Sequence, residues 1–363
     1  MGKRVVFGGL LAFLAACGGS VDTTAAGDPV ATPPGPAAPG IYQPPASTGP
    51  DHVADGVGSP SAIAMTASSV VFTTRSTVLG GESVAAGAVF VADKRAGRPL
   101  MLTVDRQGAS YEALVTDGIT AFVATSDARL LSVPVAGGTV TVVATLAAAA
   151  VALTTSGDHV YFATEAGALA RVAKKGGDVE PLATVRGAVR GLQADDAAVY
   201  LATGASEETA AGIVRVAFDG AVKVLATSGE PCAMIRDGRS LYWTNVAGAA
   251  GDKQGKGEIL RLALDGGSKA EAVASGSFSA CAIAADRDSL YFATTLPNAL
   301  PVKAGGSGGA PASGLGLMRA PIAGGEPVAV AQASRALSQP GAVAVDNNHV
   351  SWLTETAVLR LHK

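Results

Sequence analysis

The sequence has 363 residues, a formal net charge of -3 and a pI near 5.8. Charged residues make up 16% of the chain, below the roughly 25% of ordinary soluble domains, and there is no basic excess. This composition argues against a nucleic-acid-binding protein, and the 48% hydrophobic content argues against disorder over most of the chain. Three cysteines are too few for a disulfide scaffold.

The first 16 residues have the parts of a secretory signal peptide. Lys3 and Arg4 make a short basic start, and residues 5–16 are apolar but too few to span a bilayer. The run Leu14-Ala15-Ala16-Cys17 resembles the bacterial lipobox, in which the Cys becomes the first mature residue and is lipidated. The alternative is an ordinary signal peptide with a chance Cys, although free Cys is uncommon in exported chains. The resemblance implies attachment to a membrane through a lipid anchor on Cys17.

The residues after Cys17 indicate in which membrane a lipidated protein would lie. Gly18 and Gly19 follow, with no Asp beside the Cys. In lipoproteins of enteric bacteria, Asp at that place favours retention in the inner membrane, so the resemblance implies the outer membrane of a Gram-negative bacterium. Residues 17–59 are mostly Ala, Pro, Gly, Ser and Thr, which cannot bury enough apolar surface to fold. We therefore expect a disordered linker there and a folded domain over residues 60–363.

A repeated pattern begins at Pro60. Its clearest part is an aromatic or apolar pair that runs into Thr, with an apolar run and a polar turn before it. A second apolar stretch and a Gly turn follow most copies. The pairs begin at Val71, Phe122, Tyr161, Tyr200, Tyr242, Tyr291 and Ser351. Each unit therefore has short strands joined by tight turns, and the shortest spacing between units is 39 residues. Four-stranded units of about 40 to 50 residues are typical of β-propeller blades.

The predicted fold is all-β, a seven-bladed β-propeller of four-stranded antiparallel blades. The seventh unit stops after its third strand at Leu361, and residues 52–60, which could supply a fourth, are Gly-rich and poor strand material. Incomplete closure and a three-stranded last blade are therefore both open. Residues 140–153 are almost wholly apolar and would fit a membrane helix, but the repeat phase explains them as strands.

The repeat resembles secreted bacterial propellers related to the YWTD and NHL repeat families, over residues 60–363. The run Tyr242-Trp243-Thr244-Asn245 is the copy that comes close to YWTD, with Asn where that motif has Asp. The resemblance implies the propeller architecture.

Cys232 and Cys281 hold equivalent places in two adjacent units. Each lies ten residues before the aromatic residue of its unit, Tyr242 or Tyr291, on the first and innermost strand. Equivalent inner-strand positions approach one another around a propeller's channel, and an exported location favours oxidation. We predict a structural disulfide. A thiol or metal pair at the channel is the alternative, without a companion His in these units.

Long connections between second and third strands are the strongest pointer to a binding surface. They span residues 75–87, 204–212, 246–257 and 295–314, and all leave the same end of the propeller. Carboxylates also follow the second strands, namely Glu165, Glu207 and Glu355, with Asp127 close by. These side chains would ring the channel mouth and bind Ca²⁺, Mg²⁺ or a cationic group, although scattered surface acids are commoner.

Two further sets of residues follow the repeat. One Arg per unit, at Arg171, Arg215, Arg261, Arg319 and Arg360, is predicted to pack between blades and to pair with carboxylates or stack on aromatic rings. His159 and His349 fall at turns between first and second strands, where solvated side chains are expected.

The sequence therefore favours a cell-envelope lipoprotein whose monomeric propeller is a non-catalytic binding or scaffolding module. We expect a protein or glycan partner on the end that carries the insertions, no nucleic-acid partner, no catalytic residue and no cofactor. The alternative is a propeller hydrolase, lactonase or lyase with a divalent metal in the central channel. A purely structural part of an envelope complex is a third hypothesis.

Overall fold

A computed structural model describes residues 50–94, 98–246, 257–265, 269–276, 278–295, 315–332 and 342–363. These residues form seven antiparallel sheets, which confirms the predicted seven-bladed β-propeller of four-stranded blades. The predicted signal peptide, Cys17 and nearly all of the predicted linker lie outside the described residues.

The strands follow one another along the chain, blade by blade. A first strand, β1 (Asp51–Asp55), precedes blade 1. Blades 1 and 2 contain β2 (Gly58–Met65), β3 (Ser69–Leu79), β4 (Glu82–Val84), β5 (Ala88–Asp93), β6 (Leu100–Val104), β7 (Tyr111–Thr116), β8 (Thr120–Thr125), β9 (Arg129–Pro134) and β10 (Thr141–Thr145). Blades 3 and 4 contain β11 (Ala150–Ser156), β12 (His159–Thr164), β13 (Ala168–Ala173), β14 (Glu180–Thr184), β15 (Val189–Ala194), β16 (Ala198–Thr203), β17 (Gly212–Ala217) and β18 (Val222–Thr227).

The last three blades have the same order. Blades 5 and 6 contain β19 (Pro231–Asp237), β20 (Ser240–Asn245), β21 (Gly257–Ala263), β22 (Glu271–Gly276), β23 (Ser279–Ala285), β24 (Ser289–Thr295), β25 (Leu315–Pro321) and β26 (Val328–Gln332). Blade 7 contains β27 (Val343–Val345), β28 (His349–Leu353) and β29 (Ala357–His362), and β1 is its fourth strand.

Blade 7 is closed by the start of the domain, so the alternative of a three-stranded last blade is wrong. The first strand pairs antiparallel with β29, from Asp51 opposite Arg360 to Asp55 opposite Ala357. The sequence suggested poor strand material here, yet Val53 and Ala54 are buried in the cluster between blades 7 and 1. Pairing with the free edge of β29 makes the segment extended, and the propeller begins before the expected Pro60.

The first strands line the centre and contact one another from blade to blade, with the ring completed between β27 and β2. The second strands are the most deeply buried, and all six residues of β16 are buried. Both faces of such a strand are covered by neighbouring blades, which explains the continuous apolar runs in the sequence. The apolar residues 141–145 and 150–156 are strands, and no helix in the described part of the chain is long and apolar enough to cross a membrane.

Each junction between adjacent blades holds a buried apolar cluster. Because the blades are antiparallel, the connections between second and third strands leave one end of the propeller, here called the insertion face. The turns between first and second strands leave the opposite end, here called the turn face.

Candidate functional site

The four predicted carboxylates all lie on the insertion face. Asp127, Glu165 and Glu355 occupy short turns between second and third strands, and Glu207 lies in the longer loop of blade 4. All four are exposed. Within the described residues, no three His, Cys, Asp or Glu side chains come together to hold a metal ion. The four acids therefore occupy the expected end without forming a metal-binding group.

Asp127 has a local structural role. Its carboxylate accepts a hydrogen bond from Arg129 Nε at 2.8 Å and another from the Thr125 hydroxyl. Burial acts to raise the pKa of Asp127, but these bonds and the nearby guanidinium outweigh it and hold the pKa below its ordinary value. Arg129 also pairs with the buried Asp105 at 2.6 Å, so it links the turn of blade 2 to the connection from blade 1.

The insertion of blade 1 is a β-hairpin. Strand β3 continues to Leu79 and pairs with β4, from Thr77 opposite Val84 to Leu79 opposite Glu82. Gly80 and Gly81 connect the two strands with φ angles of 60° and 90°, so both central residues of this two-residue turn are in the left-handed region that glycine favours. The hydroxyl of Thr77, which is fully buried, donates to Val57 O at 3.1 Å and ties the base of the hairpin to the start of β2.

The hairpin carries apolar side chains at its free end. Val78, Leu79 and Val84 are 38%, 36% and 37% exposed. In the described part of the structure, β4 is paired with β3 alone. An apolar tip beside an open strand edge is a common way for a sheet protein to contact another chain. The loop of blade 4 is also described, whereas most of the insertions at 246–257 and 295–314 lies outside the described residues.

Cys232 and Cys281 are joined by a disulfide between β19 and β23, the inner strands of blades 5 and 6. Their Cα atoms are 4.9 Å apart, within the usual range for a disulfide. The bond links two neighbouring blades near the centre of the ring, so both sulfurs are committed to structure.

Two of the repeated Arg residues contact the next blade as predicted, Arg171 through Phe218 and Arg360 through Lys94 O. Arg171 pairs with Glu180 at 2.8 Å and lies over the ring of Phe218 in the next blade, 5.6 Å from its centroid. Arg261 pairs with Glu271 at 2.9 Å.

Sequence reasoning missed a cavity of about 620 Å³ on the turn face, at the junction of blades 7 and 1. It lies between the turn of blade 7 at residues 346–349, the turn of blade 1 at residues 66–68, and Asp93 and Lys94 at the end of β5. Lys94 is 8% exposed; its Nζ pairs with Asp346 Oδ2 at 2.5 Å and also donates to Thr66 O.

His349 lines this cavity, although the sequence suggested a solvated turn residue. Its side chain is only 19% exposed, and its ring meets that of His362 edge to face at 5.1 Å. Burial, followed by the charge of Arg360, lowers the pKa of His349, so the imidazole is neutral at pH 7. The sequence signal for this site was Ser351, where four other blades have Tyr.

No known protein family and no curated protein matches the sequence, but many solved structures share the fold. A chain of the mitotic checkpoint complex is 12% identical with a TM-score of 0.64, over 90% of this chain and 98% of that chain. YCF48, solved with a bound D1 peptide, is 11% identical with a TM-score of 0.56, over 85% and 94%. The extracellular domain of the two-component system BT4673 from B. thetaiotaomicron is 10% identical with a TM-score of 0.60, over 86% and 39%.

These likenesses define the class of protein by fold alone. The chain is a seven-bladed β-propeller that resembles YCF48 and other propeller proteins in architecture.

Proposed function

We propose that this chain is an exported lipoprotein, anchored through Cys17 at the outer membrane of a Gram-negative bacterium. Its monomeric propeller is a non-catalytic module that binds or scaffolds other proteins at the cell envelope. The lipobox-like run before Cys17 supports the anchor, and the partner-binding surface is the insertion face.

The hairpin of blade 1 is the observation that carries this proposal. Natural sheets usually protect an open strand edge with charge or a covering segment. Here β4 carries one exposed charge, Glu82, and the tip presents three apolar side chains, Val78, Leu79 and Val84, that contribute little to the propeller core. Exposed apolar side chains beside an open edge favour a protein partner over a glycan.

The structural neighbours give the proposal further support. YCF48 was solved with a bound peptide, and another neighbour is part of a multiprotein complex. A propeller is a rigid ring with loops at both ends, which suits it to present a fixed surface to another chain.

A triple substitution tests the binding surface. The variant Val78→Ser, Leu79→Ser and Val84→Ser removes the apolar tip while leaving the buried Thr77 in place. A matched control replaces three exposed valines on the rim, Val142, Val222 and Val224, with Ser. In co-purification from envelope extracts, the hairpin variant is expected to lose the specific partner of the native chain, and the control variant is expected to retain it. Retention of the same partners by both variants would contradict the proposal.

Substitution of Cys17 tests the anchor. In cells fed a labelled fatty acid, the native chain is expected to incorporate label and fractionate with the outer membrane. Cys17→Ser is expected to lose the label and appear in the soluble envelope fraction, because the acylated sulfur is removed. An unlabelled native chain would refute the lipoprotein assignment while leaving the binding surface untouched.

A further inference from the structure

The cavity between blades 7 and 1 lies opposite the insertion face and has no part in the proposed function. In blades 3 to 6, the residue of the second strand that pairs with the repeated Arg is Tyr, and in blade 7 the same register pairs Ser351 with Arg360. Tyr161 shows what the larger side chain does, because its ring stacks on Phe218 of the next blade at 5.8 Å.

Ser351 lies on the face of blade 7 that packs against blade 1. Leu353, two residues further along β28, belongs to the apolar cluster between these blades, and alternate residues of a strand share a face. Ser351 places a small side chain where blades 3 to 6 have a Tyr ring. It is 0% exposed, so the residue itself remains closed to solvent. The cavity of about 620 Å³ is within the range of small-molecule sites.

Three polar atoms are left unsatisfied on this face. His349 Nδ1, Ser351 Oγ and Arg360 Nε are buried and have no hydrogen-bond partner within the described part of the chain. His349 and Ser351 are alternate residues of β28, and Arg360 is directly opposite Ser351. Buried polar atoms of native proteins nearly always have partners, because an unsatisfied group costs about 1–3 kcal/mol. The three atoms are closed to solvent, and of their residues His349 alone lines the cavity. A molecule in the cavity would therefore meet the side chains of the turns.

The lining favours a neutral partner. Lys94 and Asp346 form an ion pair with each other, and Asp346 also accepts hydrogen bonds from the backbone amides of Asn348 and His349. Asp93 also has an interaction partner. The groups left to meet a ligand are the amides of Asn347 and Asn348 and the hydroxyl of Ser68. Amides and hydroxyls both donate and accept, which matches a molecule whose own groups do the same.

We propose that the cavity between blades 7 and 1 is a binding site for a small neutral polyhydroxylated molecule, of the size of a monosaccharide or disaccharide. The amides of the blade 7 turn bind its hydroxyls, and the missing Tyr at position 351 makes the room. The site is independent of the protein-binding insertion face.

Calorimetric titration of the purified full-length chain tests the proposal, with glucose, galactose, N-acetylglucosamine and trehalose as probes. At least one probe is expected to bind. Ser351→Tyr introduces the side chain of blades 3 to 6 and is expected to weaken that binding at least tenfold. The matched control, Ser156→Tyr, adds the same ring at the end of the first strand of blade 3 and is expected to leave the affinity unchanged.

A second variant covers the case in which Ser351→Tyr does not fold. Asn348→Ala removes an exposed turn amide and is expected to reduce the same affinity at least threefold, whereas Asp158→Ala at the equivalent turn of blade 3 has no effect. Failure of all four probes to bind would overturn the proposal, and so would binding that both junction variants leave intact. Neither result would affect the hairpin experiment, which uses the other face.

Discussion

Cys232 and Cys281 show how far single residues could be predicted from this sequence. Their equal distance from the aromatic residues of adjacent units places them on neighbouring inner strands, and the structure joins them with Cα atoms 4.9 Å apart. The phase of the repeat was sufficient because the two positions differ only by one step around the ring. Ser351 departs from the Tyr of four other blades, but the sequence did not predict the cavity, because the cavity is also lined by residues of blade 1.

Removal of the disulfide is expected to destabilise the propeller. The bond joins residues with a sequence separation of 49 and so restricts the unfolded chain. Removing that restriction lowers the free energy of unfolding by about 2–4 kcal/mol. Cys232→Ser combined with Cys281→Ser should lower the free energy of unfolding in urea by that amount. In a reducing buffer the native chain and the double variant should agree within about 0.5 kcal/mol. A difference that persists after reduction would mean that the serines perturb packing instead.

Three of the turns between first and second strands have an Asp that stabilises its own turn and also pairs with the next blade. Asp117, Asp286 and Asp346 each accept hydrogen bonds from the backbone amides of their own turn. Each also pairs with a lysine that follows the third strand of the next blade, namely Lys174, Lys363 and Lys94 respectively. These pairs fasten adjacent blades on the turn face, including the junction where the ring closes.

Breaking the Lys94–Asp346 ion pair, where the ring closes, is expected to lower the free energy of unfolding more than breaking the Lys174–Asp117 pair between blades 2 and 3. The side chains of Lys94 and Asp346 are 9% and 21% exposed, against 25% each for Lys174 and Asp117. Breaking a more buried pair leaves a less hydrated charge. Lys94→Met should lower the free energy of unfolding by about 2 kcal/mol and Lys174→Met by about 1 kcal/mol or less. Urea titration measures both, and the reverse order would contradict this account of the junctions.

The same pairs predict a loss of stability in acid. Burial acts to raise the pKa of Asp346, but Lys94 and the two turn amides outweigh it and hold the pKa below its ordinary value. A depressed carboxyl pKa adds stability above the ordinary value of 3.8, and that stability is lost as the pH falls through the depressed pKa. The native chain should therefore lose more stability than Lys94→Met between pH 5 and pH 2. Parallel stability curves for the two proteins would exclude the ion pair as the cause.

At the scale of the whole molecule, the sequence predicted the blades well and the closure poorly. Seven aromatic or apolar pairs marked the second strands, because those strands are buried on both faces whatever their neighbours are. Nothing local marks β1, where Asp51 and His52 are polar and Gly56 follows closely. It is a strand because β29, about 300 positions away, has an unpaired edge, and because Val53 fits the junction of blades 7 and 1.

Deletion of β1 tests this closure. A chain that begins at Gly56 loses the fourth strand of blade 7 and the buried Val53 and Ala54. Its free energy of unfolding should fall by about 3 kcal/mol or more, because the outer strand and two buried side chains are lost. A chain that begins at Pro50 is the control and should match the longer protein. Equal stability of both truncations would show that the propeller closes without β1.

The central claim is that the propeller acts by binding a protein through its insertion face, and site-specific photo-crosslinking in living cells tests it most directly. A photoreactive residue replaces Leu79 at the hairpin tip or, as the matched control, Ile119 on the turn face, which is 78% exposed. The account predicts one discrete crosslinked protein adduct from position 79 and none from position 119, because the hairpin with its open edge and apolar tip lies on the insertion face. Equal adducts from both positions, or an adduct from position 119 alone, would contradict it.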